Sequence, residues 1–222
     1  MHPVRKTVLT LTAGLVFALG ACSTPPSAPA NPMTFFVTSA NPGKGADFGG
    51  LAGADAHCEA LAAKAGAPGR NWRAYLSTTA GAGTTAVNAR DRIGRGPWQN
   101  VKGELVASNV EELHGNNRLG KLTALTEKGE VISGRVDEVN THDILTGSDP
   151  QGRAMADDKD STCGNWTRSG EGSAIVGHHD RTGLDESAPA KSWNSSHATQ
   201  GCGLDQLKKT GGAGLLYCFA AK

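Results

Sequence analysis

Histidines and aspartates cluster in the C-terminal half of the chain, where they could bind a metal ion or transfer protons. They form two short runs, His142-Asp143 and His178-His179-Asp180, and a single residue, His197. Imidazole and carboxylate groups are ligands of zinc, and a histidine can act as a general base at neutral pH. Neither an H-E-x-x-H nor a G-x-S-x-G motif is present. Three of these histidines could meet at one metal with a carboxylate, or the side chains could bond loop backbone.

The segment between Cys163 and Cys202 also contains two tryptophans with asparagines beside them. Aromatic rings stack on sugar rings and amide groups bond their hydroxyls, although tryptophans also fill cores. We assign Trp72 and Trp98 to the core and expect Trp193 to be exposed. The predicted ligand face comprises Asn165, Trp166, His178, His179, Asp180, Trp193, Asn194 and His197.

The N-terminus has the pattern of an export signal. Arg5 and Lys6 precede an apolar run at residues 8–19, which is too short to cross a bilayer comfortably. The tetrapeptide at residues 19–22, Leu-Gly-Ala-Cys, resembles a bacterial lipobox. It predicts cleavage before Cys22, lipidation of that cysteine and, because serine follows it, anchoring in the outer membrane of a Gram-negative bacterium.

Three segments follow from this pattern. Residues 1–21 are predicted to be a lipoprotein signal peptide, and residues 22–32, rich in proline, serine and alanine, a tether. Residues 33–222 have the size of one domain. The 22 basic and 21 acidic residues give no basic stripe, so nucleic-acid binding is not predicted. Thirty glycines indicate extensive loops and a small core.

The remaining cysteines, Cys58, Cys163, Cys202 and Cys218, are even in number in a chain predicted to be exported. This indicates two disulfides, with three connectivities open. No two of them have the C-x₂₋₄-C spacing of a zinc site. Periodicity places Cys58 and Cys218 in apolar, core-facing elements.

Local patterns predict an α+β fold with two short helices. Residues 137–214 are rich in turn-forming residues and are expected to be mostly irregular. The predicted strands are residues 33–40, 71–78 and 214–220, the last of them central in a sheet; the predicted helices are residues 49–66 and 108–115, the second starting with a Ser108–Glu111 capping box; and a hairpin is predicted within residues 121–136.

This order of elements resembles the endostatin-like branch of the C-type-lectin-like fold. The segments that carry the resemblance are GADAHCEALAAKAG (53–66), NWRAYLSTT (71–79), GSDPQGRA (147–154), CGNWTRS (163–169) and GLLYCF (214–219). The resemblance implies a mixed or antiparallel sheet with long glycine-rich loops, and it implies pairing of Cys58 with Cys218 and of Cys163 with Cys202.

Sugar-binding members of this fold hold calcium through a Glu-Pro-Asn-type and a Trp-Asn-Asp tripeptide. Here Trp193-Asn194 is followed by Ser195, and no Glu-Pro-Asn is present. No cofactor is therefore predicted, with calcium and zinc as alternatives. We predict a lipid-anchored envelope module that binds a glycan or an envelope or extracellular protein without catalysis. A metal-dependent hydrolase using the loop His and Asp residues, or a structural envelope protein, are the alternatives.

Overall fold

The computed structural model describes residues 1–3, 31–81, 84–157 and 159–221. The predicted signal peptide beyond Pro3, the lipidation site Cys22 and the tether up to residue 30 lie outside the described residues. The folded unit begins at Asn31. Its strands are β1 (Phe35–Val37), β2 (Trp72–Ala74), β3 (Trp98–Gln99), β4 (Leu105–Ala107), β5 (Asp143–Leu145), β6 (Ile175–His178), β7 (His197–Ala198) and β8 (Gly212–Ala220), and its helices are α1 (Gly50–Lys64), α2 (Val110–His114), α3 (Cys163–Trp166) and α4 (Leu204–Lys209).

Strand β8 is the centre of a mixed six-stranded sheet. It pairs antiparallel with β1 and β2 and parallel with β5, and the sheet continues from β5 to the antiparallel strands β6 and β7. Strands β3 and β4 form a separate two-stranded ribbon. The prediction of an α+β fold with a central last strand is therefore confirmed.

Both faces of β8 are buried, which explains why its sequence is apolar without alternation. Leu216, Cys218 and Ala220 contribute to one hydrophobic cluster, under α1. Tyr217 and Phe219 face the opposite cluster, which also contains Trp98 and Trp193. The domain thus has two small cores on one sheet.

Helix α1 follows from the spacing of its small residues. Ala54, Cys58 and Ala62 recur every four positions and are fully buried. Gly66, with a φ of 79°, follows the end of the helix. The predicted helix at residues 49–66 agrees with the observed bounds to within two residues.

The two predicted disulfides are present. Cys58 in α1 is bonded to Cys218 in β8, and Cys163 is bonded to Cys202, with a Cα–Cα distance of 5.7 Å in each pair. All four cysteines are fully buried. The first bridge fastens the helix to the central strand, and the second closes the loop region that carries β6 and β7.

Three predictions of local structure are wrong. Residues 121–136 form no hairpin strands; Thr126 N–H donates to Glu130 O in a tight turn instead. Helix α2 is capped by Asn109, whose side chain accepts from Glu112 N–H, so the cap lies one residue later than predicted. The prediction of two helices is also wrong, because residues 137–214, although mostly irregular as predicted, contain two further helices, α3 and α4, besides β5, β6 and β7.

No helix within the described ranges is both long and apolar enough to cross a membrane.

Candidate metal centre

Three short strands bring the polar residues of the candidate centre together. In the antiparallel pairing of β5 and β6, Asp143 lies directly opposite His178. In the pairing of β6 and β7, His197 lies opposite Val176, two residues before His178. Residues two apart on a strand share a face, so Asp143, His178 and His197 project from the same side of the sheet.

A register shift between Asp143 and Ile144 redirects the start of β5 relative to β8. The glycines opposite it, Gly211 and Gly212, allow the chains to approach closely. A Cβ added at Gly211, where φ is 100°, would lie 3.2 Å from a ring carbon of His142. A side chain at this position would clash first with Asn140, whose Nδ2 would lie 2.5 Å away, and would crowd the histidine next to the carboxylate.

Three imidazole Nε2 atoms surround one carboxylate oxygen. The distances from Asp143 Oδ1 are 3.1 Å to His142, 3.3 Å to His178 and 3.4 Å to His197. The rings of His142 and His178 are stacked, with centroids 4.0 Å apart. Ligand atoms of a tetrahedral zinc ion, bound at about 2.0–2.2 Å, lie about 3.4 Å apart, so the three distances from Asp143 Oδ1 are of the size that zinc ligands have.

These short contacts do not have the geometry of well-formed hydrogen bonds. Both carboxylate oxygens of Asp143 and the Nε2 of His178 are buried and have no hydrogen-bond partner among the described residues. The side chains of Asp143 and His142 are each only 1% exposed. A buried carboxylate without hydrogen bonds is costly unless a cation lies beside it. His142, Asp143 and His178 each offer one ligand atom. These three atoms lie within 4.8 Å of one another, as binding to a single ion requires.

The Nδ1 atom of each histidine is held by a separate oxygen, which orients the Nε2 atoms inward. His142 Nδ1 lies 3.0 Å from Asp180 Oδ1, and His178 Nδ1 lies 2.7 Å from the carbonyl oxygen of Ala190. His197 Nδ1 lies 3.2 Å from the carbonyl oxygen of Ala198. Histidines that bind metal through one nitrogen usually have the other nitrogen bonded in this way.

The charges of the cluster are strongly coupled. Burial opposes ionisation of Asp143, but the imidazoles of His142, His178 and His197 outweigh it and hold the pKa of this carboxyl well below its usual range. Burial also lowers the pKa of His142, yet its contacts with Asp143 and Asp180 prevail and raise that pKa to about 9. Contact with Asp143 raises the pKa of His197. The cluster therefore favours an anionic carboxylate beside a positive charge.

Asp180 is an outer partner of the cluster. Besides His142, it accepts from Arg135 N–H at 2.7 Å and from Thr182 N–H at 3.1 Å. Burial raises its pKa, but the bond to His142 and these backbone donors outweigh burial and hold the pKa well below its usual range. Asp180 thus fixes the ring of His142 from a site that is itself anchored to two loops.

The cluster forms part of the wall of a pocket of about 540 Å³. His142, His178 and His197 line it, whereas Asp143 lies behind them. The loop from Leu184 to Ala190 forms part of the rim, and Leu184 is 87% exposed there. A metal ion at the cluster would be accessible to a small molecule from one side only.

The structure brings together only part of the predicted ligand face. His178 and His197 contribute directly and Asp180 indirectly. His179 points away from the cluster, with Nε2 3.3 Å from Ser133 O, as expected of adjacent residues on a strand. Asn165 lies elsewhere, bonded to Thr79 N–H at 2.9 Å.

The tryptophans of the predicted face are core residues. Trp166 is fully buried and donates from Nε1 to Ser77 O, and Trp193, expected to be exposed, is 3% exposed. Asn194 is 1% exposed and donates to the hydroxyl of Tyr75. The expectation of an exposed Trp193 ring is therefore wrong, because two tyrosines and His114 enclose it. The assignment of Trp72 and Trp98 to the core is confirmed.

His142 and Asp143 were predicted only as candidates for the alternative metal site and lay outside the predicted ligand face, which was placed between Cys163 and Cys202. The signal available was the His-Asp pair itself, immediately before the apolar Ile144-Leu145. A charged pair at the start of a buried strand places its side chains at the edge of the core, where polar groups need a function or a partner.

No protein-family model matches the chain, and the comparison with curated proteins gave no match.

Proposed function

We propose that this domain binds a divalent transition-metal ion, with zinc as the reference ion, through His142, Asp143 and His178, and with His197 as the fourth ligand. The observation that carries the proposal is the convergence of three Nε2 atoms on Asp143 Oδ1 without a hydrogen bond to either carboxylate oxygen. The donors fit the ion chemically, because imidazole suits zinc, copper, iron and nickel. Calcium needs six to eight oxygen ligands and does not suit this set.

The same groups could instead form a metal-free ion-pair network, in which a protonated His142 neutralises Asp143. Two features favour a metal. Every Nε2 faces the centre while every Nδ1 is held from outside, and the cluster opens to a pocket although the carboxylate behind it is buried. A purely structural ion pair between His142 and Asp143 needs neither His178 and His197 nor a pocket beside it.

Zinc titration of the purified protein, first freed of metal with a chelator, tests the proposal. Competition with a chromophoric chelator should give one zinc ion per chain. The affinity should fall in His178→Ala and His142→Ala by more than the roughly 10- to 100-fold typical of losing an outer hydrogen-bond partner. His57→Ala is the matched control, since His57 lies outside the cluster and contacts the carbonyl oxygen of Ala40.

Two results would count against the metal centre. One is the absence of stoichiometric binding of zinc, cobalt, nickel, copper and iron. The other is an equal loss of affinity in His57→Ala and His178→Ala, which would show that zinc binds to surface histidines unspecifically. Circular dichroism of each variant separates loss of metal from loss of fold.

A metal-dependent hydrolase is the second candidate function, and the pocket beside the cluster favours it. A divalent ion that accepts water or substrate as a fifth ligand would polarise a carbonyl or phosphoryl oxygen and lower the pKa of that water molecule. The histidines of this chain would hold the ion at the pocket wall, and the Leu184–Ala190 rim would limit access of bulk water. Chelator-sensitive hydrolysis of p-nitrophenyl esters or phosphates that is lost in His178→Ala, and retained in His57→Ala, would support this activity. Absence of turnover in the zinc-loaded protein would leave a binding role.

We propose an endostatin-like C-type-lectin-like fold for the domain. The support is the bond from Cys58 in the first helix to Cys218 in the central last strand, together with a second bridge across the loop region. Superposition of an experimental structure on members of that fold tests the assignment, and a different order of strands around β8 would contradict it.

We also retain outer-membrane anchoring through Cys22 as a proposal, on the sequence of residues 19–22 and the tether that follows. Mass spectrometry of the mature N-terminus should find an acylated Cys22. Cys22→Ser should release the protein from the membrane fraction, and unchanged fractionation and processing of this variant would contradict anchoring.

We also propose a glycan or protein partner. It would have to bind a surface other than the predicted ligand face. All four tryptophans of the chain are buried, so none offers a ring for stacking. The pocket beside the metal centre, with the exposed Leu184 at its rim, is the concave surface that supports such a partner. Glycan-array or pull-down signals that disappear in Leu184→Asp would support it.

A further inference from the structure

The pocket beside the proposed metal centre carries two cationic side chains. Arg135 and Lys209 line the pocket, and neither has an ion-pair partner within the described parts of the chain. The guanidinium of Arg135 makes no hydrogen bond there either, although its backbone N–H donates to Asp180. Arginine and lysine in a concave site are the usual partners of carboxylates and phosphates.

The charge of the site favours an anion. A divalent ion would be balanced by the two carboxylates that face the cluster, Asp143 and Asp180. Among the remaining lining residues, Asp185 is the one acid, and its side chain accepts a bond from Ser187 N–H. Arg135 and Lys209 together exceed Asp185 by one positive charge, so the metal-loaded pocket attracts negative ligands.

The pocket also has an apolar wall. Its volume of about 540 Å³ falls within the range of about 300–1,000 Å³ that is usual for small-molecule sites. The apolar lining residues are Leu184, Pro189, Ala190 and Ala198. The site therefore offers an ion and two cations for an acidic group, and a hydrophobic surface for the rest of a small molecule.

We propose that this pocket binds a small organic anion whose carboxylate or phosphate group adds to the metal ion as a fifth ligand and pairs with Arg135 and Lys209. This inference rests on the proposed metal centre and goes beyond it, because it assigns the open side of the centre to a class of ligand. Arg135 lies in the loop after Ser133 and Lys209 lies at the end of α4. These two side chains from different segments then act as the anion-binding groups.

Cobalt substitution tests the metal centre and the anion-binding site separately. Cobalt binding is followed by its visible absorption bands, and inorganic phosphate and acetate are then titrated at constant ionic strength. We expect each anion to shift the absorption bands until the shift saturates. Whether phosphate or acetate binds with the higher affinity then shows which acidic group the site prefers. Arg135→Gln should weaken probe binding about 10-fold and the more exposed Lys209→Gln by a smaller factor, with cobalt affinity unchanged.

Lys208→Gln is the matched control, because Lys208 precedes Lys209, lies outside the pocket lining and is 3.7 Å from Asp205. Equal weakening by Lys208→Gln and Lys209→Gln would overturn the proposal, since it would indicate a general effect of charge. Cobalt binding with bands that neither probe shifts would overturn this proposal and leave the metal centre intact. Failure of cobalt to bind would overturn both.

Discussion

Asp180 Oδ1 lies 3.0 Å from His142 Nδ1, on the opposite side of the imidazole ring from Asp143. His142 is thereby held between two buried carboxylates, and only its Nε2 edge faces the centre of the cluster. When the ring is neutral, this relationship favours the tautomer in which Nδ1 carries the proton and Nε2 is available to a metal ion.

Asp180→Ala should weaken zinc binding by about 10- to 100-fold while leaving the stoichiometry at one ion per chain. The reason is that His142 loses the acceptor that orients its ring. Asp180→Asn keeps an acceptor oxygen and should lose less. The measurement is zinc competition with a chromophoric chelator, and an affinity for zinc that is the same in wild type and Asp180→Ala would refute the positioning role.

The fall in stability with rising pH should be offset when zinc is added. In the metal-free protein the pKa of His142 is about 9, above the value of about 6.5 expected for an unfolded chain. Between these values the folded state keeps a proton that the unfolded state has lost, so the free energy of unfolding falls as pH rises. Zinc requires the deprotonated imidazole, so its affinity rises over the same range.

We therefore expect the Tm of chelator-treated protein to fall between pH 6.5 and 9, and the gain in Tm on adding zinc to grow. His142→Gln should flatten the metal-free profile. A metal-free Tm that increases across this range would show that His142 is not held protonated by Asp143 and Asp180.

The sequence predicted the parts of the fold that have a long, regular pattern. An apolar face that includes Leu51, Ala54 and Cys58 indicated α1, and the apolar run at residues 214–220 indicated a central strand. Strands β5, β6 and β7 have three, four and two residues, which is too few for an alternating pattern to be recognised. Their pairing with β8 and with one another, rather than local propensity, makes them strands.

The candidate site was only partly predictable for the same reason. The types of residue were visible, and the alternative that three histidines meet at a carboxylate agrees with the observed cluster. Which residues meet depends on the register of β5 against β6, which places Asp143 opposite His178 and turns His179 away. Trp193 was misassigned because the tyrosines that enclose it, Tyr75 and Tyr217, are distant in sequence.

Trp193→Ala should destabilise the fold by about 3–5 kcal/mol, as is usual for removing a buried tryptophan. The ring contacts Tyr75 at a centroid distance of 4.8 Å and Tyr217 at 5.3 Å, so its removal leaves a cavity in the second core. Trp193→Phe should cost less because it fills part of that cavity. Urea denaturation followed by circular dichroism measures the difference, and an unchanged midpoint in Trp193→Ala would show that the ring is exposed in solution.

The two disulfides should differ in their contribution to stability because they close loops of different length. The Cys58–Cys218 bridge spans 160 residues and the Cys163–Cys202 bridge spans 39. Loop-closure entropy predicts losses of about 5 and about 4 kcal/mol when each pair is removed. Urea denaturation of Cys58→Ala/Cys218→Ala and Cys163→Ala/Cys202→Ala should therefore give a lower midpoint for the first variant than for the second. Because none of these cysteines belongs to the metal cluster, zinc should still bind one ion per chain in whichever variant remains folded. A larger loss of stability in the Cys163→Ala/Cys202→Ala variant would show that loop length does not determine the ranking, and that the bridge near β6 and β7 holds a structure that the sheet alone cannot maintain.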